Sequence, residues 1–396
     1  MAYLSPDVYI KEVSTGARPI EAVGTSTAGF VGQAIRRDAP KNEAVAVNNW
    51  GQFRAEFVGE LGETPPASTP LVQAVWGFFQ NGGSRCYVVN IGADKSLQKG
   101  LAALEQEDAI AIVAAPGYTE AGHYDELLTH CENMGDRVAI LDGPSRVTKV
   151  SELTQVAEGG TPADAAAAGK GKGARRSKRG FGAFYYPWIR MRDPLRTAEE
   201  VEAPPSGHLA GIYARTDATR GVHKAPANET VRGALGVTHR LTRGDQDELN
   251  PEGVNCIRFF SNEGVLVWGA RTVAPASDPE WRYVSVRRLF NMVEESIAKS
   301  TRWVVFEPND PSLWKAISRD VGAFLTLLWR DGMLLGSTPE EAFFVKCDAE
   351  TNTKEVIDAG RVVIQVGLAP VKPAEFVIFE IGQHAGGTDV AAEGAE

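Results

Sequence analysis

Cys86-Tyr-Val-Val-Asn-Ile91 follows a helical pattern over Leu71 to Gln80 and precedes another over Leu97 to Gln106. The run is apolar on nearly every residue, not on alternate ones, and too short for a buried helix, so it reads as a strand covered on both faces. The same rhythm repeats outward. Upstream, Ala28-Gly-Phe-Val-Gly32 is followed by a helical pattern over Gln52 to Phe57. Downstream, Ala109-Ile-Ala-Ile-Val-Ala114 leads into a helical stretch from Tyr124 to Met134 and then into Arg137-Val-Ala-Ile-Leu141. Alternation of this kind from Thr27 to about Gly143 predicts a mixed α/β fold with parallel strands covered by helices.

On either side the pattern changes. Ser5 to Val13 is extended in character and is separated from the body by Gly16, Pro19 and Gly24, so it reads as a strand on a tether. Residues 158–182 collapse to Gly, Ala and basic residues, among them Lys170, Lys172, Arg175, Arg176, Lys178 and Arg179, the composition of a mobile loop. A long polar passage then runs to Asn250, followed by strands at Cys256 to Phe260 and Val265 to Trp268. Val286, Leu289, Phe290, Val293 and Ile297 share one helical face, and Leu313, Ile317, Val321, Phe324, Leu325 and Leu328 share another. Asp310 and Pro311 mark the start of the second helix and Gly332 its end. Strands are predicted at Ala342 to Cys347, Arg361 to Val366 and Glu375 to Ile381, the last held off by Pro370 and Pro373; a tail from His384 to Glu396 reads as disordered.

Composition narrows the function. The chain has 396 residues, 43% hydrophobic and 23% charged, enough for more than one domain at roughly 100–200 residues each. Its 41 Lys plus Arg against 51 Asp plus Glu give a net charge of −10, which disfavours nucleic acid or an anionic membrane as the main partner. No apolar run is long enough for a membrane span, no leader pattern opens the chain, and Cys86, Cys131, Cys256 and Cys347 lack paired spacing, so a reducing cytosol is expected. The stretch Ala168-Gly-Lys-Gly-Lys-Gly173 fails the phosphate-loop register, because no Ser or Thr follows either lysine. His123, His130 and Cys131 are the one close group of metal-ligand types, and they lack the further ligand that a closed zinc site needs. Adjacent carboxylates at Glu294-Glu295 and Glu340-Glu341 diverge by about 100° on a helix and form no acid/base couple. No catalytic residue, cofactor or metal is expected.

Several segments, taken together and in order, are similar to the contractile tail sheath family of contractile-tailed phages, R-type bacteriocins and phage-tail-like injection systems. They are Ser5-Pro-Asp-Val-Tyr-Ile-Lys-Glu-Val-Ser-Thr-Gly-Ala-Arg-Pro-Ile20, Val23-Gly-Thr-Ser-Thr-Ala-Gly-Phe-Val-Gly32 and Phe79-Gln-Asn-Gly-Gly-Ser-Arg-Cys-Tyr-Val-Val89 in the first half. The second half adds Tyr185-Tyr-Pro-Trp-Ile189, Pro204-Pro-Ser-Gly-His-Leu-Ala-Gly-Ile-Tyr-Ala-Arg215, Gly221-Val-His-Lys-Ala-Pro-Ala-Asn228, Leu249-Asn-Pro-Glu-Gly-Val-Asn255, Trp268-Gly-Ala-Arg-Thr272 and Ala369-Pro-Val-Lys-Pro-Ala-Glu-Phe-Val377. The basic segment at 162–182 departs from the family pattern.

The resemblance implies a subunit that polymerises as stacked rings around an inner tube, waits in a metastable extended state and contracts to drive the tube forward. It implies a two-domain sheath fold: an N-terminal arm and linker at 1–24, an inserted outer domain at 25–194, an inner domain facing the tube at 195–368, a C-terminal arm at 369–383 and a tail at 384–396. Tethered strands at both ends, with no evident partner inside the subunit, fit strand addition to neighbours. The arm residues are then Val8, Tyr9, Ile10, Lys11 and Val13, with Phe376, Val377, Ile378, Phe379 and Ile381 at the other end. Lys315, Arg319 and Asp320, on the polar face of the second helix, are the expected tube contact. Implied partners are further copies of the chain, the tube protein, and baseplate and terminator or cap proteins, assembled in the cytosol and released by lysis, without nucleic acid or membrane insertion. The rival readings are a cytosolic α/β enzyme and a non-contractile tube or shell protein.

Overall fold

The structure is a computed structural model that describes residues 18–94, 96–157 and 171–378. In chain order the first half holds β1 (Ala28–Gly32), β2 (Ala44–Val47), α1 (Trp50–Phe53), α2 (Pro70–Gln80), β3 (Cys86–Asn90), α3 (Leu97–Leu104), β4 (Ile112–Ala114), α4 (Ala121–Met134) and β5 (Val138–Asp142). There follow β6 (Gly182–Tyr186), β7 (Ile189–Arg192), β8 (Glu200–Ala203), α5 (Ser206–Arg220), β9 (Glu229–Thr230), β10 (Ala234–Val237), α6 (Arg243–Leu249), β11 (Val254–Phe260) and β12 (Gly264–Trp268). The last part is α7 (Val284–Ser300), α8 (Pro311–Arg330), α9 (Pro339–Ala342), β13 (Phe343–Lys346), α10 (Lys354–Asp358) and β14 (Gln365–Leu368).

A nine-stranded sheet in the order β2-β3-β1-β4-β5-β6-β11-β12-β9 is the frame of the molecule. Strands β3, β1, β4, β5, β6 and β11 run parallel, in the register Phe30 to Val88 on one side of β1 and Phe30 to Ala114 on the other. Successive side chains go to opposite faces: Phe30, Val88 and Ile140 pack under α2 and α5, while Val31, Val89 and Leu141 pack under α3 and α4. Burial on both faces is why these strands read as unbroken apolar runs. A small sheet, β10-β7-β8, adds Ile189, Met191 and Val237 to the first of these cores.

A third core stands apart. It is built from Leu289, Met292 and Val293 of α7, from Leu313, Ile317, Val321, Phe324, Leu325 and Leu328 of α8, and from Ile20 of the segment entering β1. The expected punctuation of α8 is present: Asp310 accepts from the N–H groups of Ser312 and Leu313 at 2.9 Å, Pro311 opens the helix, and Gly332 beyond its end takes φ +75°. Beside α8 lies the two-stranded antiparallel sheet β13-β14.

Three expectations need revision. The polar passage before Asn250 contains α5, a helix buried around most of its circumference. Its residues are small or mixed in polarity, so no apolar stripe announces it, and it packs by close backbone approach: a methyl at Gly207 would collide with the Ala74 backbone, and one at Gly211 with the Phe78 carbonyl. The strand expected at Arg361 to Val366 starts later, at Gln365. The described part of the basic segment is held down. The Ala157 N–H donates to the Gly173 carbonyl at 2.8 Å, Arg175 pairs with Asp125 and Glu132 of α4, Arg176 pairs with Glu252, and the chain then enters β6. Acidic partners from distant segments fix it, and local composition carries no sign of them. The division expected at 194/195 falls in the connection between the paired strands β7 and β8.

Candidate assembly surface

The C-terminal segment is held up to one residue and released after it. The Leu335 N–H donates to the Ala369 carbonyl at 2.8 Å and the Val371 N–H to the Met333 carbonyl at 3.2 Å, which ties the chain to the end of α8. The carboxylate of Glu375 is then gripped from three directions. Arg271 donates Nε at 2.9 Å to Oε1 and Nη2 at 2.7 Å to Oε2, the Tyr283 hydroxyl donates at 2.9 Å, and Asn250 Nδ2 donates at 2.7 Å. These hydrogen bonds and the neighbouring guanidinium outweigh burial and hold the Glu375 carboxyl below its usual range. Immediately beyond, Phe376, Val377 and Ile378 are 71, 72 and 83% exposed and belong to no strand among the described residues. Phe379 and Ile381 lie outside the described residues.

The residues expected to form an N-terminal arm, Val8, Tyr9, Ile10, Lys11 and Val13, also lie outside the described residues, as do Lys170 and the tail from His384; the chain that leads into β1 is described from Arg18 onward. The Arg18 guanidinium lies 4.5 Å from the centre of the Trp303 ring, and the Arg18 backbone N–H donates to Asp320 Oδ2 at 3.4 Å. Ile20 is buried in the third core, and the Val23 N–H donates to Ser296 Oγ at 3.0 Å. At Thr25 the carbonyl accepts from Arg288 Nη2 at 3.0 Å and the hydroxyl donates to Asp217 at 2.5 Å, inside the buried Arg288–Asp217 ion pair.

The expected tube-contact residues separate into two environments. Lys315 and Arg319 are exposed on α8, whereas Asp320 is buried and engaged by Arg319 Nε at 3.0 Å and by the Arg18 backbone. One residue along a helix turns the side chain by about 100°, which carries Asp320 off the outer face. The exposed stripe is Lys315, Arg319, Ala323, Leu327 and Arg330. Periodicity marks its inner face, but only packing shows which polar residues stay out.

Other chemistry-bearing groups serve the fold. Beside β1, where a doubly wound sheet would receive a ligand, Asn90 Oδ1 accepts from Ala34 N and Gly92 N at 3.0 Å. Asp142 at the end of β5 is buried and accepts from Ser206 N at 2.8 Å, Ser206 Oγ at 2.7 Å and Gly117 N at 3.1 Å, so it caps α5 in place of the usual local side chain. Burial raises its pKa to about 6. His130 packs 3.7 Å from Glu105, with burial pushing its pKa down to about 4, while His123 stacks edge-on against Tyr118. Burial also pushes the Cys131 thiol up. Among the described residues no group of three or more His, Cys, Asp or Glu is placed to hold a metal, and no helix is long and apolar enough to cross a membrane.

Two family models match the chain: the phage tail sheath protein central domain over residues 91–273 and the phage tail sheath C-terminal domain over residues 276–383. Their junction falls between the sheet, whose last strand in chain order is β12, and the α7–α8 core. The sheath of an extracellular contractile injection system, PVC, solved in its contracted state, superposes with a TM-score of 0.76 at 31% identity, covering 97% of this chain and 99% of that one. A putative prophage major tail sheath protein of Pseudomonas aeruginosa is 26% identical over 279 residues, and the tail sheath protein of Burkholderia phage BcepMu is 29% identical over 202. Those matches span 68% and 49% of this chain and 64% and 41% of the two relatives, so the chain covers about half the length of the curated relatives it matches. With two sheath domain models in tandem and one fold shared along nearly its whole length, the chain belongs to the phage tail sheath family of structural proteins.

Proposed function

We propose that this protein is the subunit of a contractile sheath, which stacks as rings around an inner tube and drives the tube forward when the extended polymer contracts. The observation that carries the reading is the abrupt release of the chain after Glu375: three large apolar residues stand in solvent beyond a carboxylate held by the side chains of Asn250, Arg271 and Tyr283. Exposed apolar strand-formers of this kind need a partner edge. The β13-β14 sheet supplies one, since two strands leave both outer edges open and a two-stranded sheet is marginal alone. In this reading the C-terminal arm, and the N-terminal arm around Val8 to Val13, add as strands to that sheet in neighbouring subunits.

The nine-stranded body forms the outer part, and the α7–α8 core with its hairpin forms the inner part. The stripe of α8, with Lys315, Arg319 and Arg330 around Leu327, faces the tube. The free energy of contraction resides in the metastable packing of the extended lattice, which rigid-body rotation releases, so the subunit itself has no need of a nucleotide. Assembly takes place in the cytosol on a baseplate under a terminator or cap protein, and lysis releases the particle. The test is co-expression with the tube protein, followed by electron microscopy. Hollow ridged cylinders that shorten and widen are expected; deletion of residues 1–16 should leave a folded subunit that forms none. Discrete monomers from the full chain under every condition, or long sheaths from the deletion, would overturn the reading.

A further inference from the structure

Helix α7 receives both arms. At its start, Tyr283 is the N-cap residue, and its hydroxyl is one of the donors on Glu375. The backbone there is locked to the segment after β12 that carries Arg271: Arg271 and Tyr283 form an isolated antiparallel bridge, and the Val284 N–H donates to the Ala270 carbonyl at 3.0 Å. Further along α7, Arg288 holds the Thr25 carbonyl and Ser296 Oγ accepts from the Val23 N–H. Ser296 is itself fixed by donating to the Met292 carbonyl at 2.5 Å. From Tyr283 to Ser296 the helix spans about 20 Å at about 1.5 Å per residue.

We infer that α7 is a tension strut: load arriving through the N-terminal arm enters at Ser296 and Arg288, passes along the helix, and leaves through Tyr283 and Arg271 into Glu375 and the C-terminal arm. This rests on the proposal that the arms link neighbouring subunits. An α-helix suits the task, because its hydrogen bonds lie along the axis and it is short and stiff. The anchors Ser296, Arg288, Arg271 and Glu375 are positioning residues for the arms, and they stand in series.

Elements in series fail at the weakest one, and that separates a strut from a set of independent stabilising contacts. The experiment uses the full chain assembled on its tube protein, with contraction triggered by urea and broken sheaths counted by electron microscopy. Ser296→Ala and Glu375→Gln should each assemble extended sheaths as the parent does, and each should raise rupture on contraction about tenfold, since each removes or weakens a side-chain anchor. The double variant should rupture no more often than the more fragile single variant. Unchanged rupture in both single variants, or an effect of the double variant equal to the product of the two, overturns the strut. Should either variant lower the melting temperature of the isolated subunit, the swapped pair Arg271→Glu with Glu375→Arg decides: parental rupture supports the strut and persistent rupture overturns it. A chain ending at Glu375 tests the underlying reading separately. Normal sheaths from that chain would remove the arms themselves, whereas loss of sheaths alongside anchor variants that contract intact would remove only the strut.

Discussion

The imidazole of His208 lies where the side chain of residue 77 would be, and α2 accommodates it only because that residue is Gly77. Around this contact α5 crosses α2 through Gly207 and Gly211, each against backbone atoms of the other helix. Neither obstacle can move without moving its helix. Gly207→Ala is expected to lower the stability of the isolated subunit by about 1–3 kcal/mol, even after the gain in helix propensity from Gly to Ala. Gly322→Ala on α8, where an added methyl meets nothing within 4 Å, should raise it by about 1 kcal/mol. Urea titration of both variants checks the pair.

His208 also sets an acid limit. Burial pushes its pKa down to about 3 and that of His130 to about 4, so both are neutral in the native state at pH values where the unfolded chain takes up protons. Between about pH 4 and 6.5 the unfolded state therefore holds more protons, and stability falls as pH falls, by up to about 1.4 kcal/mol per pH unit for each histidine. Asp142 acts in the opposite sense: with its pKa at about 6 the native state keeps a proton that the unfolded chain has lost, so this carboxyl favours the native state increasingly as pH falls from about 6 to 4. Melting temperatures across this window should decline less steeply in His208→Leu and more steeply in Asp142→Asn. An unchanged slope in His208→Leu would remove the assignment.

Phe376→Ser with Ile378→Ser changes two side chains that touch solvent in the subunit. Unfolding free energy should move by less than about 0.5 kcal/mol. Sheath yield on the tube should fall by at least about tenfold, the factor that about 1.4 kcal/mol lost at every joint represents. A yield equal to that of the parent would count against the C-terminal arm.

Lys315→Glu with Arg330→Glu reverses two charges on the exposed stripe of α8 and leaves the Arg319–Asp320 pair in place. Assembly on the tube should weaken, and the deficit should shrink as salt screens the added repulsion. The subunit alone should melt as the parent does. Equal particle yield at low and high salt would place the tube elsewhere.

Arg175→Ala removes the guanidinium that ties the basic segment to Asp125, Thr129 and Glu132 of α4. Global stability should change by only about 0–1 kcal/mol, because these pairs are partly exposed. Trypsin should cut at Lys172 and Lys178 faster than in the parent, on a gel time course. Equal cutting rates would mean that other contacts hold the segment.

Where the sequence could be read, it was read through periodicity and punctuation. Val31, Val88 and Ile140 stand in continuous apolar runs, and such runs have one economical solution, a strand with a helix on each face. The ends of α8 are marked by Asp310, Pro311 and Gly332, whose backbone preferences are local. Helix α5 escaped because a helix packed all round by Gly207, Gly211 and small neighbours shows no stripe. Asp320 escaped because polar residues on neighbouring helical positions look alike until a partner, here the Arg18 backbone, selects one of them.

What the sequence determined by itself was the alternation of elements and the family to which the ordered segments point, since each follows from residues close together in the chain. Only the tertiary structure decided which residues fasten the chain near its two ends. Glu375 is an ordinary glutamate until Asn250, Arg271 and Tyr283 converge on it, and Thr25 is an ordinary threonine until Asp217 and Arg288 enclose it. Those partners are far apart along the chain. The charge-assisted hydrogen bonds they form are directional and act over about 3 Å, so only the packed fold can assemble them.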